Sequence, residues 1–414
     1  MLKRLLDKLE SERMPLLGPN VKALKFWGLL LPKEMLPRNL YILMHLLVII
    51  FTATEYVDIW FIKSDINLLL NNLKITMLAT VSVIKVMTFL FWQKHWKSII
   101  QYVNKADLVQ RITDNRIKKL TIEKYTRYCR RITYLYWALM YTTVIIVMVQ
   151  PIYKYAALPT YRELVRNGTQ SYMQVVSSWV PFNKNTIPGH ITASFIQSFA
   201  SIYGGGWITS FDTNAMVIMV FFKGELELLK IDCGDIFGTA SNPVSDNVAN
   251  IRLHNCHKRY VELIKYIRLF DSCLSPIMLL YMFVSSVMLC ATAYQITVET
   301  SAMQRFLTTE YLIFGVAQLF IYCWHSNDLF YASRQVMNGP YNSMWWNRNK
   351  YCQKDIQILI GQFNKTIVFS AGPFTDLTVA TFINVRTKSR IFFNIIYLIN
   401  QSMNHYFLCT FAIS

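Results

Sequence analysis

Charged residues are scarce in this sequence, and acidic residues are the scarcest. Only 16% of the 414 residues are Asp, Glu, Lys or Arg, and 24 acidic side chains stand against 42 basic ones, whereas 53% are hydrophobic and 14% aromatic. A water-soluble protein usually carries about 25% charged residues. The shortage argues against two or three soluble domains and favours a chain that lies largely in a lipid bilayer.

The sequence also lacks the signatures of functions that its charge would suggest. Its opening residues, MLKRLLDKLESERMP, hold no apolar segment followed by a small-residue cleavage site, so we expect no cleaved signal peptide. The formal net charge of +18 comes from basic residues that flank apolar stretches and form no RNA- or DNA-binding motif. We therefore expect no nucleic-acid partner.

The sequence does contain a series of apolar stretches, each long enough to cross a hydrocarbon core of about 30 Å. We place seven spans at residues 39–60, 70–92, 132–152, 190–220, 270–298, 309–332 and 373–400. Each must be helical, because a helix satisfies its own backbone N–H and C=O groups where water is absent. The predicted fold is an all-α polytopic membrane protein.

The distribution of basic residues predicts the orientation of these spans. The N-terminal segment and the second, fourth and sixth connections hold about 30 Lys and Arg residues, against about 7 in the other three connections. Since cytoplasmic segments carry the excess of Lys and Arg, the N-terminus is predicted inside the cell and the C-terminus outside. The sequon at Asn167 falls in an outer connection, as glycosylation requires.

The predicted inner connections are themselves mostly structured. Residues 96–131 and 251–270 have helical periodicity and are expected to continue the spans as a packed cytoplasmic layer. Residues 234–249 have the composition of a flexible loop. Lys85 falls within the second span, where an unpaired charge is costly, so we expect it to form an internal salt bridge.

Several motifs resemble those of the insect odorant-receptor family. They are KALKFWGLLLP at 22–32, LYMFVSSVMLCATAYQ at 280–295, YCWHSNDL at 322–329 followed by Ala332, Ser333, Tyr341 and Trp345, then GPFT at 372–375 and TFI at 381–383. The resemblance runs along nearly the whole chain and is most specific in its last third. The amino-terminal pattern is most similar to that of moth receptors.

This resemblance implies an odorant-binding subunit of a heteromeric, ligand-gated, non-selective cation channel in the plasma membrane of olfactory sensory neurons. The ligand would be a small volatile hydrophobic molecule, and the partner a common odorant co-receptor in a tetramer surrounded by lipid. The short 221–269 segment favours a tuning subunit over the co-receptor. A gustatory-receptor channel subunit and a metabotropic seven-helix receptor coupled to a G protein remain alternatives.

The resemblance also divides the chain by topology. The parts are a cytoplasmic N-terminal segment (1–38), helices one to four with half of the ligand pocket (39–220), a cytoplasmic loop and helical extension (221–269), helices five and six (270–332), a cytoplasmic anchor segment (333–372), and a pore-lining seventh helix with an outer tail (373–414).

The resemblance implies a ligand pocket in the outer half of the bundle. A small volatile needs an apolar, aromatic cavity there, with one or two polar groups. By helix depth and the family resemblance, the candidates are Met77, Thr80, Val81, Tyr141, Ile145, Phe195, Phe199, Ile202, Tyr203, Tyr311 and Phe314. Aromatic stripes in helical bundles are also common as simple packing.

The seventh helix supplies the candidate pore residues, again by resemblance to the family. Ile395, Leu398 and Ile399 match a hydrophobic gate, and Asn400 and Gln401 a polar mouth. Arg386, Lys388 and Arg390 depart from the family pattern. We expect these three near the cytoplasmic vestibule or the lipid headgroups, because a cation lining the pore would repel permeating cations.

The sequence gives little support for a metal site, a phosphate-binding loop or an enzyme active site. His254, Cys256 and His257 lie close together, but no second pair follows at zinc-site spacing, so a surface helix is preferred. The three glycines at 204–206 follow no strand and lack a Lys-Ser/Thr partner, so they are interpreted as a site of close helix packing rather than a phosphate loop. We predict no enzymatic activity, no cofactor and no metal.

Overall fold

A computed structural model describes residues 10–63, 66–239, 242–298 and 302–384, and most of them are helical. The helices are α1 (Gly18–Phe26), α2 (Met35–Ile62), α3 (Ile66–Phe91), α4 (Gln93–Arg111), α5 (Arg116–Ala157), α6 (Pro159–Arg166), α7 (Ile187–Gly234), α8 (Asp246–Val298), α9 (Ala302–Gln335), α10 (Asn338–Asn342) and α11 (Lys350–Phe363). Strand β1 (Gly238–Thr239) pairs antiparallel with β2 (Asn242–Pro243), and β3 (Ser370–Ala371) with β4 (Thr375–Asp376).

Three of these helices are much longer than a bilayer core requires. Helices α5, α7 and α8 contain 42, 48 and 53 residues, whereas about 20 residues cross the hydrocarbon region. Side-chain caps define two of their starts: Asn115 accepts from the backbone N–H groups of Ile117 and Lys118, and Thr186 from that of Gly189. The predicted helical character of 96–131 and 251–270 is confirmed, with one break at residues 112–115.

Helix α7 is the central element of the bundle. It contacts α1, α2, α3, α5, α8, α9 and α10, and every residue from 205 to 222 is buried. A helix that is enclosed on all sides has no need of a polar face. Two glycines allow close approach here: a Cβ on Gly206 would lie 2.3 Å from the indole of Trp27, and one on Gly205 would lie 3.0 Å from Val144. The close-packing interpretation is confirmed for Gly205 and Gly206, whereas a Cβ on Gly204 would have no atom within 4 Å.

The described residues contain four helices with the length and hydropathy of a membrane span: Met35–Ile62, Leu68–Phe91, Arg116–Ala157 and Asp246–Thr297. The predicted spans at 39–60, 70–92, 132–152 and 270–298 correspond to them. Segments 190–220 and 309–332 are helical within α7 and α9, but these helices are not among the four that qualify by length, hydropathy and charge. Helix α2 exposes Leu36, Leu40, Leu43, Leu47 and Ile50, an apolar surface suited to contact with lipid. The count of seven spans and their orientation stay predictions.

Two predicted boundaries are wrong. The last span was placed at 373–400, but residues 370–376 form the β3–β4 hairpin, with Gly372 at φ +69°, and the helix begins at residue 379. A positive φ is tolerated by glycine, which has no Cβ. The segment 234–249 is not a loop throughout, because the β1–β2 hairpin lies within it and α8 begins at Asp246.

Buried charges connect α7 and α8 beyond the predicted spans. The Arg259 guanidinium donates to Glu225 Oε2 at 2.7 Å and to Asp232 Oδ2 at 2.6 Å, and Lys118 also forms a salt bridge with Asp232. The side chain of Glu225 is only 1% exposed. Since an unpaired carboxylate is costly in such a position, this network holds the extended ends of α5, α7 and α8 together.

Candidate ligand site

A cluster of polar side chains surrounds Asp212 at the centre of the bundle. Asp212 Oδ1 accepts from Lys85 Nζ and from the Tyr322 hydroxyl, each at 2.7 Å. Asp212 Oδ2 accepts from the Tyr136 hydroxyl at 2.7 Å and from Nε2 of Gln318 at 2.5 Å. The carboxylate therefore receives four hydrogen bonds from α3, α5 and α9, and it joins these helices to α7.

The salt bridge between Lys85 and Asp212 is completely buried, with both side chains at 0% exposure. The ammonium group also lies 4.8 Å from the ring centroid of Tyr281 on α8, a cation–π distance. The internal salt bridge predicted for Lys85 is confirmed. Because charges at such depth are retained only when paired and hydrogen-bonded, this cluster is the strongest functional-site signal among the described residues.

A small cavity adjoins this cluster between α3, α8 and α9. Its volume is about 10 Å³, and its wall contains Leu78, Tyr281, Ser285, Met288, Leu289, Thr292, Leu312, Phe314, Gly315 and Gln318. Gln318 and Tyr281 thus belong to both the cavity wall and the cluster around Asp212. The wall, apolar with a few polar groups, has the composition of a small-molecule site, but the volume is far below the roughly 300–1,000 Å³ of a formed ligand pocket.

Gln318, one of the residues of the cavity wall, carries an unusual polar atom. Its Nε2 is bound to Asp212, but its carbonyl oxygen Oε1 is buried and has no hydrogen-bond partner among the described residues. Most buried polar atoms in proteins have such a partner. An unpartnered acceptor in a cavity wall is therefore a position where a bound molecule can be recognised.

Of the predicted pocket residues on α3 and α9 whose side chains the structure describes, only Phe314 lines this cavity. Phe314 is in the wall and its ring centroid is 5.9 Å from that of Tyr136. Met77 is partly buried next to Leu78, and Val81 is buried. Thr80 is hydrogen-bonded to the Tyr56 hydroxyl at 2.7 Å. The side chain of Tyr311 lies outside the described residues.

A second group of predicted pocket residues forms an aromatic cluster between the end of α1, α2 and α7. The hydroxyl of Tyr203 lies 3.3 Å from His45 Nδ1, its ring packs edge-on against Trp27 at 5.6 Å, and Phe199 stacks on it at 5.9 Å. Tyr141 is half-buried on α5. The structure thus brings Phe199 and Tyr203 together in this cluster.

Four predicted pocket residues are exposed in the isolated chain. Phe195 is 74% exposed, Ile145 59%, and Phe199 and Ile202 39% each. The buried face of this part of α7 is instead formed by Ala193, Gln197, Ala200 and Tyr203. Their assignment to a ligand pocket stays a prediction.

The remaining predicted sites have different outcomes. Asn167 is exposed just after α6, where a glycan would be accessible. His254 is exposed on α8, as expected for a surface helix. The gate and pore residues Ile395, Leu398, Ile399, Asn400 and Gln401, together with Arg386, Lys388 and Arg390, lie outside the described residues.

Sequence reasoning missed Asp212, Tyr136, Tyr322 and Gln318 as site residues. A signal for Asp212 was present, since an acidic residue within the apolar segment 190–220 is rare enough to mark a functional position. Nothing in the sequence, however, links it to Lys85, which lies 127 positions away. In the described part of the chain, no group of three or more His, Cys, Asp or Glu side chains is arranged to hold a metal ion.

Comparison with known proteins supports a receptor fold along most of the chain. The solved structure of the insect olfactory receptor OR5 from Machilis hrabei in complex with eugenol matches with a TM-score of 0.78, over 94% of this chain and 100% of that one, at 16% identity. A second structure of the same receptor matches with a TM-score of 0.76 over 95% and 98% at 17% identity. At these identities the likeness shows the fold alone.

The sequence relatives align with shorter parts of the chain than the solved structures do. The chain is 22% identical over 144 residues to odorant receptor Or2 of Anopheles gambiae, which is 35% of this chain and 38% of that one. It is 28% identical over 130 residues to the odorant receptor coreceptor of the same mosquito, 31% and 27% of the two chains. Odorant receptor 67c of Drosophila melanogaster is 28% identical over 165 residues, 36% and 40%. The aligned segments thus span less than half the length of these relatives.

The family comparison covers far more of the sequence. The profile described as 7tm Odorant receptor matches residues 65–388, a range that includes every residue of the Asp212 cluster and of the cavity wall. The motifs at 280–295, 322–329 and 372–375 fall within this range, as does all of α7. A match over more than half of the chain shows that this protein belongs to the insect 7tm odorant receptor family.

Proposed function

We propose that the chain is the odorant-binding subunit of a heteromeric, ligand-gated, non-selective cation channel opened by a small volatile hydrophobic molecule. The observation that carries this proposal is the family match over residues 65–388, in a fold similar over 94% of the chain to an olfactory receptor solved with eugenol. The family match favours an odorant receptor over the gustatory alternative.

The proposed assembly pairs this tuning subunit with the odorant co-receptor, in a tetramer in the plasma membrane of olfactory sensory neurons. Similarity to coreceptor sequences supports a common architecture for the two subunits. Seven spans, an inner N-terminus and an outer C-terminus agree with the excess of Lys and Arg on the predicted inner segments. Helices α4 and α11, with the extended ends of α5, α7 and α8, would form the cytoplasmic anchor.

Gating follows from a difference in affinity between two states of the channel. A ligand that binds the open arrangement more tightly than the closed one shifts the population towards the open state, whereas equal binding to both shifts nothing. The last helix would carry this change to the gate at Ile395, Leu398 and Ile399 and the mouth at Asn400 and Gln401. A hydrophobic constriction conducts only after it is wetted.

Current recording from cells that express this chain with a co-receptor tests the proposal. We expect odour-evoked cation currents in excised membrane patches without nucleotides, because a channel needs no second messenger. Currents that depend on GTP in the patch would favour the metabotropic alternative. Absence of any current with surface-delivered subunits would refute the channel function, and a C-terminal epitope accessible only after permeabilisation would refute the proposed orientation.

The aromatic pocket assignment has its own test. Substitution of Phe199 or Tyr203 by Ala is expected to change the rank order of active odorants while surface delivery persists, because both rings lie in one aromatic cluster on α7. Ile191→Ala serves as the control on the same helix, because this side chain is 63% exposed and is not among the predicted pocket residues. Unchanged rankings in the Phe199 and Tyr203 variants would remove these residues from the pocket.

A further inference from the structure

The side-chain amide of Gln318 has a fixed orientation in the bundle. Its Nε2 donates to Asp212, and the buried salt bridge with Lys85 keeps a carboxylate at that position. A carboxylate offers only acceptors. Turning the amide over would therefore set its carbonyl oxygen against a carboxylate oxygen. Asp212 thus determines that Oε1, rather than Nε2, of Gln318 is left for other contacts.

Oε1 of Gln318 is buried in the cavity wall without a donor. No group in the described part of the chain donates to it. Of the three hydroxyls in the wall, those of Ser285 and Thr292 already donate to backbone carbonyls of their own helix, at Met282 and Met288. A buried carbonyl without a donor has lost its hydrogen bonds to water, and a bound molecule with an O–H group would replace them.

The cavity lined by Gln318 has about the volume of a hydroxyl group. The cavity volume of about 10 Å³ is close to the smallest room that holds one water-sized group. The rest of the wall includes Leu78, Met288, Leu289 and Leu312. A hydroxyl fits this room directly, whereas the attached hydrocarbon must displace Leu and Met side chains, of which Met is the most adaptable.

We propose that the ligand is an alcohol whose O–H donates to Oε1 of Gln318 and whose hydrocarbon packs against the Leu, Met and Phe side chains of the wall. This inference rests on the ligand-gated function proposed above and adds the chemical class of the ligand. An ether, ester or aldehyde of the same length brings only acceptor oxygens. It would set one of them against Oε1, so Gln318 selects hydroxyl-bearing odorants over acceptor-only ones.

The test compares matched pairs of odorants on the receptor expressed with its co-receptor in oocytes. The pairs are hexanol, octanol and decanol with their methyl ethers and acetates, and eugenol with its methyl ether, since the ethers lose only the O–H donor. We expect the half-maximal concentration of the active alcohol to be about tenfold or more below that of its ether, as for a site built to hydrogen-bond a hydroxyl.

Variants assign this preference to Gln318. Gln318→Met keeps the length of the side chain but removes the amide, and we expect the alcohol-to-ether ratio to fall to about threefold or less while the ether response persists. Ser272→Ala is the matched control, because that hydroxyl lies on α8 outside the wall and donates to its own helix at Leu269. It should keep the wild-type ratio. Surface labelling measures delivery of each variant.

The outcomes separate this inference from the channel function. Equal potency of alcohol and ether on the wild-type receptor, or a preference for the ether or acetate, overturns the inference whatever the variants do. A Gln318→Met receptor that keeps the wild-type ratio also overturns it and leaves Oε1 as the site of a structural water only. Currents with equal potencies refute only the ligand class, whereas no current from any odorant refutes the channel function and the inference with it.

Discussion

The buried pair of Lys85 and Asp212 gives the sharpest prediction about stability. Lys85→Met leaves the carboxylate of Asp212 with neutral donors but no cation, and Asp212→Asn leaves the ammonium group without an anion. Since both side chains are fully buried, each single substitution should cost about 3–5 kcal/mol. The double variant Lys85→Met/Asp212→Asn removes both charges, keeps an oxygen acceptor for one of Tyr136 and Tyr322, and offers the other hydroxyl an N–H donor that it can accept. It should therefore recover most of the loss.

Thermal stability of the detergent-solubilised complex with the co-receptor measures this effect. Scaled to a chain of this length, 1 kcal/mol corresponds to about 1 °C in Tm, so each single variant should lose about 3–5 °C and the double variant no more than about 2 °C. Lys97→Met, which removes an exposed lysine bonded to Gln93, is the control and should change Tm by less than about 1 °C. A double variant whose loss equals the sum of the two single losses would refute the coupling between the two charges.

Three further substitutions test the packing, the inner network and the topology. Gly206→Ala should destabilise the receptor by about 1–3 kcal/mol, because its methyl group would overlap an indole ring, whereas Gly204→Ala, with open space around the added Cβ, should be neutral or stabilising in the same melting assay. Arg259→Met should reduce the yield of folded receptor on gel filtration, because it leaves the buried carboxylate of Glu225 unpaired. Arg259→Lys keeps a cation and should retain part of the wild-type yield. Equal yields of the two variants and the wild type would contradict the role of the network. Asn167→Gln should abolish a glycosidase-sensitive shift in gel mobility, and a receptor without any such shift would leave the outer position of this loop without support.

Length and hydropathy made the helices of this chain predictable. Apolar segments at 39–60 and 132–152 correspond to α2 and α5, and the helical continuation beyond the spans follows from periodicity alone. The start of the last helix was wrong because a hairpin intervenes at 370–376. Gly372 and Pro373 were a turn signal there, which the apolar character of the following residues outweighed.

The direction in which side chains face could not be predicted in the same way. In a soluble helix the polar face marks the outside, but lipid tails are as apolar as a protein core. The aromatic pattern of Phe195, Phe199 and Ile202 therefore fits a pocket, a packed interface and a lipid surface equally well. The structure gives the buried face to Gln197 and Tyr203 instead, among others. Pairing of Lys85 was predictable from the cost of a buried charge, whereas its partner depended on contacts between helices far apart in sequence.

The chemistry of a bundle like this one limits how it can distinguish odorants. Each methylene group that enters an apolar wall contributes about 0.8 kcal/mol whatever functional group the molecule carries, so the Leu and Met side chains select mainly for size. Discrimination among functional groups must come from polar atoms that the protein leaves unpaired at the cavity. Because Asp212 occupies the donor side of the Gln318 amide, the atom left there is an acceptor. A receptor whose Asp212 were neutral could turn this amide over and present a donor instead, and we expect such a receptor to prefer esters and aldehydes over alcohols.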